Sequence, residues 1–211
     1  MVGLTHSWTS RTSTGWKLWL WWVLANTVGS AVGAALAFGS MNAVKAFVPG
    51  AGANEDRVFG VMLLATLVVA IGLAQWAVMR RHVPQAWQWP FASALGVCVG
   101  FALVISAGTL LGARAVLPYG LGMLSGMAGM ALFGLGVGAV QWLYLRQHVA
   151  HSGWWILASA FGWAVLGIVV GKAFTVPIQV AFVGLVPALF TGAALVWLVR
   201  QDKSHRMANW L

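Results

Sequence analysis

The side chains of this sequence that could do chemistry are few, and none of them forms a recognisable catalytic group. Acid-base or nucleophilic catalysis needs titratable groups placed close together. The carboxylates are Glu55, Asp56 and Asp202, and all three fall outside the apolar segments. We therefore expect no catalytic residues and no enzyme. The lack of carboxylates inside apolar segments also argues against proton- or sodium-coupled transport.

The histidines superficially suggest a metal or tetrapyrrole site. His148 and His151 are three residues apart, and His82 matches His148 in a repeated segment. All three fall in predicted turns beside arginines, whereas a ligand held within a bilayer would need a histidine in the middle of an apolar segment. We predict no metal site and no cofactor.

Uncharged polar residues inside the apolar segments are more informative. Gln75 precedes Arg80 by five residues and Ser93 follows Trp87 by six, so in an antiparallel hairpin they reach a similar depth. At 1.5 Å per residue that depth is about 7 to 9 Å from the turn.

The same pair returns as Gln141 and Ser159, and Asn26 stands at the serine position of an earlier copy. In the last copy Leu195 takes the glutamine position, so closure of the last helix on the first would leave Asn26 without a glutamine partner. The candidate polar layer has five members: Asn26, Gln75, Ser93, Gln141 and Ser159. These residues either hold helices together, at about 0.6 to 2 kcal/mol per hydrogen bond, or line a small central site.

A second candidate set is cationic. Lys45, Arg114 and Lys172 each stand four or five residues before a proline, in what we predict to be connections between helices. A threefold bundle would set them in a ring that binds an anionic headgroup or an acidic segment. The alternative is three independent anchors that reach to the membrane surface.

The elements that must position these residues are transmembrane helices. Of 211 residues, 61% are hydrophobic and 7% charged, and the mean hydropathy is +0.86, which a soluble domain could not sustain. The net charge of +9 comes from basic residues at segment ends and not from a run, which favours lipid headgroups over nucleic acid as the partner. About 20 apolar residues cross a bilayer. Six spans are predicted, at residues 17–39, 58–79, 87–110, 121–145, 154–171 and 179–199.

The spans repeat in pairs. Each odd segment has a tryptophan followed by alanine three residues on and glycine four beyond that, and each even segment has glycine eight residues before arginine. We predict an all-α integral membrane bundle of three tandem hairpins about a pseudo-threefold axis. The predicted divisions are a flexible tail at 1–15, hairpins at 16–82, 83–148 and 149–202 (shortened), and a C-terminal tail at 203–211.

Basic residues are more numerous at the end that carries both termini, which predicts an inner (plasma) membrane protein with N and C termini in the cytoplasm. Most tryptophans fall near the same end, and we interpret them as an interfacial belt. The glycines, such as Gly29, Gly96 and Gly138, have the spacing of close helix packing.

The signature GxxQWxxxR, followed by WxxAS and glycine, resembles a repeat of uncharacterised polytopic membrane proteins from bacteria such as cyanobacteria. The resemblance covers nearly the whole chain and implies a membrane protein, with no activity to transfer.

Two function hypotheses remain open. The first is a non-enzymatic accessory or assembly subunit of a larger membrane complex, with membrane lipids and other membrane subunits as partners. The second is a carrier or binding protein for a lipid or small hydrophobic solute, with the polar layer around its cavity and the cationic ring at its mouth. They differ in whether the polar side chains surround a cavity.

Overall fold

The computed structural model describes residues 15–47, 55–83, 85–111, 122–149, 151–169 and 177–208, and within these ranges it is helical with no strand. The helices are α1 (Gly15–Phe47), α2 (Glu55–Met79), α3 (Trp89–Leu111), α4 (Gly122–Leu145), α5 (Trp154–Val169) and α6 (Pro177–Ala208). A short 3-10 turn, Ala86–Gln88, precedes α3. The predicted all-α fold with six helices is confirmed.

Five of the helices are long and apolar enough to cross a membrane, as in a multi-pass membrane protein. The described part of α5 is apolar but shorter, with 16 residues. Helix α1 continues to Phe47, so Lys45 belongs to the helix and not, as predicted, to a connection. Helix α6 continues to Ala208, beyond the predicted span 179–199.

The helices pack as a closed ring, because each contacts its neighbours in the sequence and α6 contacts α1. The start of α1 lies beside the end of α6, where a Cβ atom on Gly15 would meet Arg200. The turns after α2 and α4 lie at this same end, which we call the arginine end after Arg80, Arg146 and Arg200. The opposite end of the bundle is called the far end.

The two described turns have the same backbone conformation. Gln85 and His151, each four residues before a helix tryptophan, adopt left-handed φ angles of 53° and 56°. Pro90, the second residue of α3, and Pro177, the first of α6, lie in the first turn, where a helix tolerates proline. Pro187 lies in the interior of α6. These matching turns support the tandem hairpin interpretation.

Close glycine contacts hold neighbouring helices together, as the spacing predicts. A Cβ atom on Gly29 would lie 3.0 Å from the backbone of Ile71, and one on Gly96 would lie 3.0 Å from the backbone of Val137. The main buried cluster is concentrated towards the arginine end and contains Trp22, Trp89 and Trp155. Tight packing therefore characterises that end of the bundle.

Candidate polar ring and central cavity

Three tryptophans from the three odd helices meet at the centre of the bundle. Trp22, Trp89 and Trp155 are 0%, 0% and 1% exposed. Their ring centroids lie 6.1, 5.7 and 5.6 Å apart, and every pair is edge to face, with interplanar angles of 73° to 81°. This is the arrangement that the ring quadrupoles favour. The three indoles form a plug across the bundle, which we call the tryptophan triad.

Each indole of the triad donates a hydrogen bond to the preceding even helix around the ring. Trp89 Nε1 donates to Gln75 Oε1 at 2.8 Å, and Trp155 Nε1 donates to Gln141 Oε1 at 2.9 Å. Trp22 Nε1 donates to Thr191 Oγ1 at 3.0 Å. Because an indole N–H can only donate, it fixes the orientation of each glutamine amide, with the oxygen towards the tryptophan.

The glutamine nitrogens face the other way, towards the odd helix before them. Gln75 Nε2 donates to Asn26 Oδ1 at 2.7 Å, and Gln141 Nε2 donates to Ser93 Oγ at 3.0 Å. Ser93 Oγ also donates to Gln75 Oε1 at 3.3 Å. One hydrogen-bond network therefore ties α1 through α5 together, and we call it the polar ring.

The polar ring is interrupted between α5 and α6. Threonine is too short to reach across as a glutamine does, and Thr191 donates its hydroxyl to Pro187 O in its own helix at 2.9 Å. Ser159 donates instead to Gly134 O at 2.8 Å, so the predicted pairing of Gln141 with Ser159 is replaced by that of Gln141 with Ser93. No buried side-chain nitrogen or oxygen of the described residues lacks a hydrogen-bond partner.

The five predicted members of the polar layer are all buried, and the structure also corrects how they were paired. Asn26 does have a glutamine partner, because Gln75 of the following helix reaches back to it. Leu195 does not occupy the glutamine position, which belongs to Thr191 one helical turn earlier. Leu195 is buried like Met79 and Leu145, which follow Gln75 and Gln141 by one turn. A shift of four residues keeps the same helix face, so the sequence pattern could not distinguish the two alignments.

The tryptophan triad was missed by the belt interpretation, which assigned Trp22, Trp89 and Trp155 to the lipid interface. They lie inside, while Trp21, next to Trp22, is 62% exposed. A signal was present in the sequence: each buried tryptophan is followed four residues later by asparagine or serine on the same helix face. A polar residue on that face indicates the bundle interior.

A cavity of about 110 Å³ lies on the far-end side of the tryptophan triad. Its arginine-end wall carries polar groups of Asn26, Gln75, Ser93, Gln141, Ser159 and Thr191. The remaining wall is mainly apolar and includes Leu64, Val97, Phe133, Trp163 and Val183. All six helices contribute to it. No ionisable side chain lines this cavity within the described residues.

No charged side chain of the described residues lines the cavity. Of the predicted cationic ring, Arg114 and Lys172 lie outside the described residues, as does the side chain of Lys45. At the arginine end the guanidinium of Arg80 stacks over Trp76 at 5.1 Å, and that of Arg146 stacks over Trp142 at 5.2 Å.

His148 lies in the turn after α4, at the same end of the bundle, and its Nδ1 is 3.0 Å from the backbone oxygen of Tyr144. Among the described residues no three His, Cys, Asp or Glu side chains come together as a metal site.

No protein family, curated protein or solved structure matches this chain. The site offers a small apolar space with hydrogen-bonding groups at one end and no described charge, which suits the binding of an uncharged molecule.

Proposed function

We propose that this chain is a non-enzymatic membrane protein that binds a small hydrophobic molecule in its central cavity, as a carrier or binding protein. The observation that carries the proposal is the cavity of about 110 Å³, lined by all six helices and bounded by the polar ring. Protein interiors are normally close-packed, with few voids larger than a water molecule. A cavity of this size at the centre of the bundle is a feature that a purely structural bundle does not need.

The tryptophan triad favours binding over conduction. Its three indoles are almost completely buried and contact each other edge to face, so they leave no open path from the cavity to the arginine end. A channel would need a continuous polar pathway, whereas this cavity ends at a plug. The protein is therefore proposed to hold a molecule in the cavity and not to conduct one across the membrane.

In this proposal the protein lies in the inner (plasma) membrane with the arginine end in the cytoplasm. Arg80, Arg81, Arg146 and Arg200 lie at that end together with Lys17 near the start of α1, in keeping with the positive-inside rule. A reporter that is active only in the periplasm, fused after Leu211, tests the orientation. We expect the reporter to be inactive. Reporter activity would mean that the arginine end faces the periplasm and would contradict the proposed orientation.

The binding proposal is tested by filling the cavity. Val68 lines the cavity, whereas its neighbour Val69 is 59% exposed and points away from it. The tagged wild-type protein and the variants Val68→Phe and Val69→Phe are extracted in polymer nanodiscs, and all lipids and small molecules that co-purify are identified by mass spectrometry. We expect one species to be enriched with the wild type and Val69→Phe and to be lost with Val68→Phe. Equal recovery from all three proteins would refute the proposal.

A second candidate function is an accessory subunit of a larger membrane complex, and one observation favours it. An apolar groove of about 520 Å³ runs along the outer surface between α1 and α2. Its lining contains small residues, such as Gly29 and Ala70, and larger exposed residues, such as Val28 and Leu36. Small residues let a further transmembrane helix approach closely, and such a helix is the partner that we propose for the groove.

Site-specific photo-crosslinking distinguishes this candidate. A photoreactive amino acid at Leu36 in the groove should give a discrete protein adduct in native membranes, while one at Leu157 of α5, 55% exposed, should not. Adducts to lipid alone at both positions would end the subunit proposal and leave the cavity proposal unaffected.

A further inference from the structure

We infer that the ligand of the central cavity is an uncharged, single-chain molecule with a hydrogen-bond acceptor at one end, and that it enters sideways between the far-end halves of α2 and α3. The inference rests on the proposed binding function and specifies its ligand class and its route. Four observations support it, on the size, the charge, the hydrogen bonding and the packing of the cavity walls.

The size of the cavity excludes bulky ligands. An apolar cavity of about 150 Å³ is large enough for benzene, and this one measures about 110 Å³. The lining residues of α2 extend from Leu64 to Gln75, about 16 Å along the helix at 1.5 Å per residue. A small volume spread over that length fits one linear chain and not a diacyl lipid.

The wall chemistry selects an uncharged ligand. The described lining includes amides, hydroxyls and indoles but no ionisable side chain. An ionised group placed there would lose its hydration without gaining an opposite charge, which is strongly unfavourable. The cavity should therefore reject carboxylates and ammonium groups of the same length.

The hydrogen bonds of the polar ring leave spare amide N–H donors that a ligand can use. Gln75 Oε1 already accepts from Trp89 and Ser93, and Asn26 Oδ1 accepts from Gln75. In contrast, Nε2 of Gln75 and Nε2 of Gln141 carry two hydrogens each, and the polar ring uses one of each. The second hydrogens can be donated to a ligand, so a carbonyl or ether oxygen is the complementary head group.

The packing of α2 and α3 identifies the route. In the apolar segments that could cross a membrane, 11% of the α2 residues and 17% of the α3 residues are buried. The share is 44% in each of α1, α4 and α6. Of residues 58–71 of α2, all described, none is buried. Of residues 97–110 of α3, Gly100 alone is buried, and it packs against Phe133 of α4.

The contacts that join α2 to α3 lie near the arginine end. A Cβ atom on Gly72 would touch Pro90 at 3.4 Å, and Gln75 bonds to Trp89 and Ser93. Towards the far end, Leu64 of α2 is 38% exposed and still lines the cavity. Among the described residues, the cavity wall is therefore open between these two helices at the depth of the hydrocarbon chains.

A set of three matched probes tests the ligand class. Purified wild-type protein in nanodiscs is titrated with heptane, 2-heptanone and heptanoate, and binding is followed by saturation-transfer NMR. We expect 2-heptanone to bind about fivefold more tightly than heptane, the effect of one hydrogen bond, and at least about a hundredfold more tightly than heptanoate. Equal binding of heptane and 2-heptanone would overturn the acceptor head, and tighter binding of heptanoate would overturn the uncharged class.

The route is tested by the exchange rate of bound 2-heptanone. A bulky side chain in the opening, Leu64→Trp, should slow both binding and release severalfold, and Leu64→Ala should accelerate both. Because Leu64 also lines the cavity, the release rate decides: filling of the cavity alone would accelerate release, whereas obstruction of the route slows it. Leu73→Trp is the control, because Leu73 is 51% exposed on the same helix and lies outside the cavity. Exchange that is the same in all three variants would overturn the lateral route. If the wild type binds none of the three probes, the proposed function itself fails.

Discussion

The indole nitrogen of Trp22 donates a hydrogen bond to Thr191 Oγ1 at 3.0 Å across 169 positions of sequence. This bond joins the first helix to the last and repeats the bonds of Trp89 to Gln75 and of Trp155 to Gln141. Three equivalent interactions therefore surround the centre of the bundle. The third differs in one respect, because its acceptor is a hydroxyl on a short side chain.

Removal of the Thr191 hydroxyl should destabilise the protein. Thr191→Val keeps the shape but leaves the buried Trp22 N–H without an acceptor, and we expect a loss of about 1 to 3 kcal/mol. Thermal unfolding of the purified protein in detergent measures it. Thr27→Val is the control, because Thr27 is partly buried and donates only to Val23 O in its own helix. Equal losses for the two variants would mean that the bond to Trp22 does not stabilise ring closure.

The two glutamines of the polar ring should differ in importance. Gln75 bonds to Asn26, Trp89 and Ser93, whereas Gln141 bonds to Ser93 and Trp155. We expect Gln75→Leu to lower the free energy of unfolding more than Gln141→Leu.

Because Ser93 connects the two glutamines, the double variant should deviate from additivity by at least about 0.5 kcal/mol. Additive effects would contradict a continuous network. The same unfolding assay measures the two single variants and the double variant. The control is the double variant Gln75→Leu with Thr27→Val, whose two residues share no hydrogen-bond partner and whose effects should therefore add.

The glycine contacts give opposite predictions at two sites. A Cβ atom on Gly134 would lie 2.8 Å from Ser159 O, whereas one on Gly39 meets nothing within 4 Å. Gly134→Ala should therefore force α4 and α5 apart and lower stability by about 1 to 3 kcal/mol. Gly39→Ala should leave stability unchanged or raise it by up to about 1 kcal/mol, since alanine favours the helix. The interpretation of Gly134 as a packing residue fails if both variants behave alike.

Restoring the missing glutamine should complete the polar ring and reduce the cavity. In Thr191→Gln the longer amide can accept from Trp22 and donate to Ser159, which should raise stability by about 0.6 to 2 kcal/mol. It also enters the space that Thr191 now borders. We expect weaker binding of 2-heptanone in the NMR titration. Ala193→Gln, on an exposed position of α6, is the control and should change neither quantity. Unchanged binding in Thr191→Gln would place the ligand elsewhere.

The number and type of helices could be predicted from the sequence, because six apolar runs separated by turn and charge signals leave little choice. The paired recurrence of Gln75 with Ser93 and of Gln141 with Ser159 also located the buried polar residues. Both inferences depend on local features that one helix or one hairpin carries by itself. The ends of α1 and α6 were less predictable, since a helix can continue beyond the bilayer without an apolar signal.

The partners of these residues could not be predicted, because they depend on how the helices are arranged around the ring. Gln75 contacts both α1 and α3, and only the arrangement reveals that the amide spans two interfaces. In α6, Thr191 stands at the position that Gln75 and Gln141 occupy in α2 and α4. The sequence did not reveal this, because Leu195 lies one turn away on the same face of α6. The burial of Trp22 beside exposed Trp21 likewise depends on the rotation of α1, for which Asn26 on the same helix face is a signal in a largely apolar pattern.

The most direct test of the binding proposal is an indole ¹⁵N–¹H NMR spectrum of the protein in nanodiscs, recorded during titration with 2-heptanone. Trp22, Trp155 and Trp163 line the cavity, whereas Trp87 and Trp154 are 61% and 58% exposed at the arginine end. Single Trp→Phe substitutions assign the signals. We predict saturable shifts at Trp22, Trp155 and Trp163 and none at Trp87 and Trp154. Shifts confined to the exposed tryptophans, or none that saturate, would contradict a binding site at the centre of the bundle.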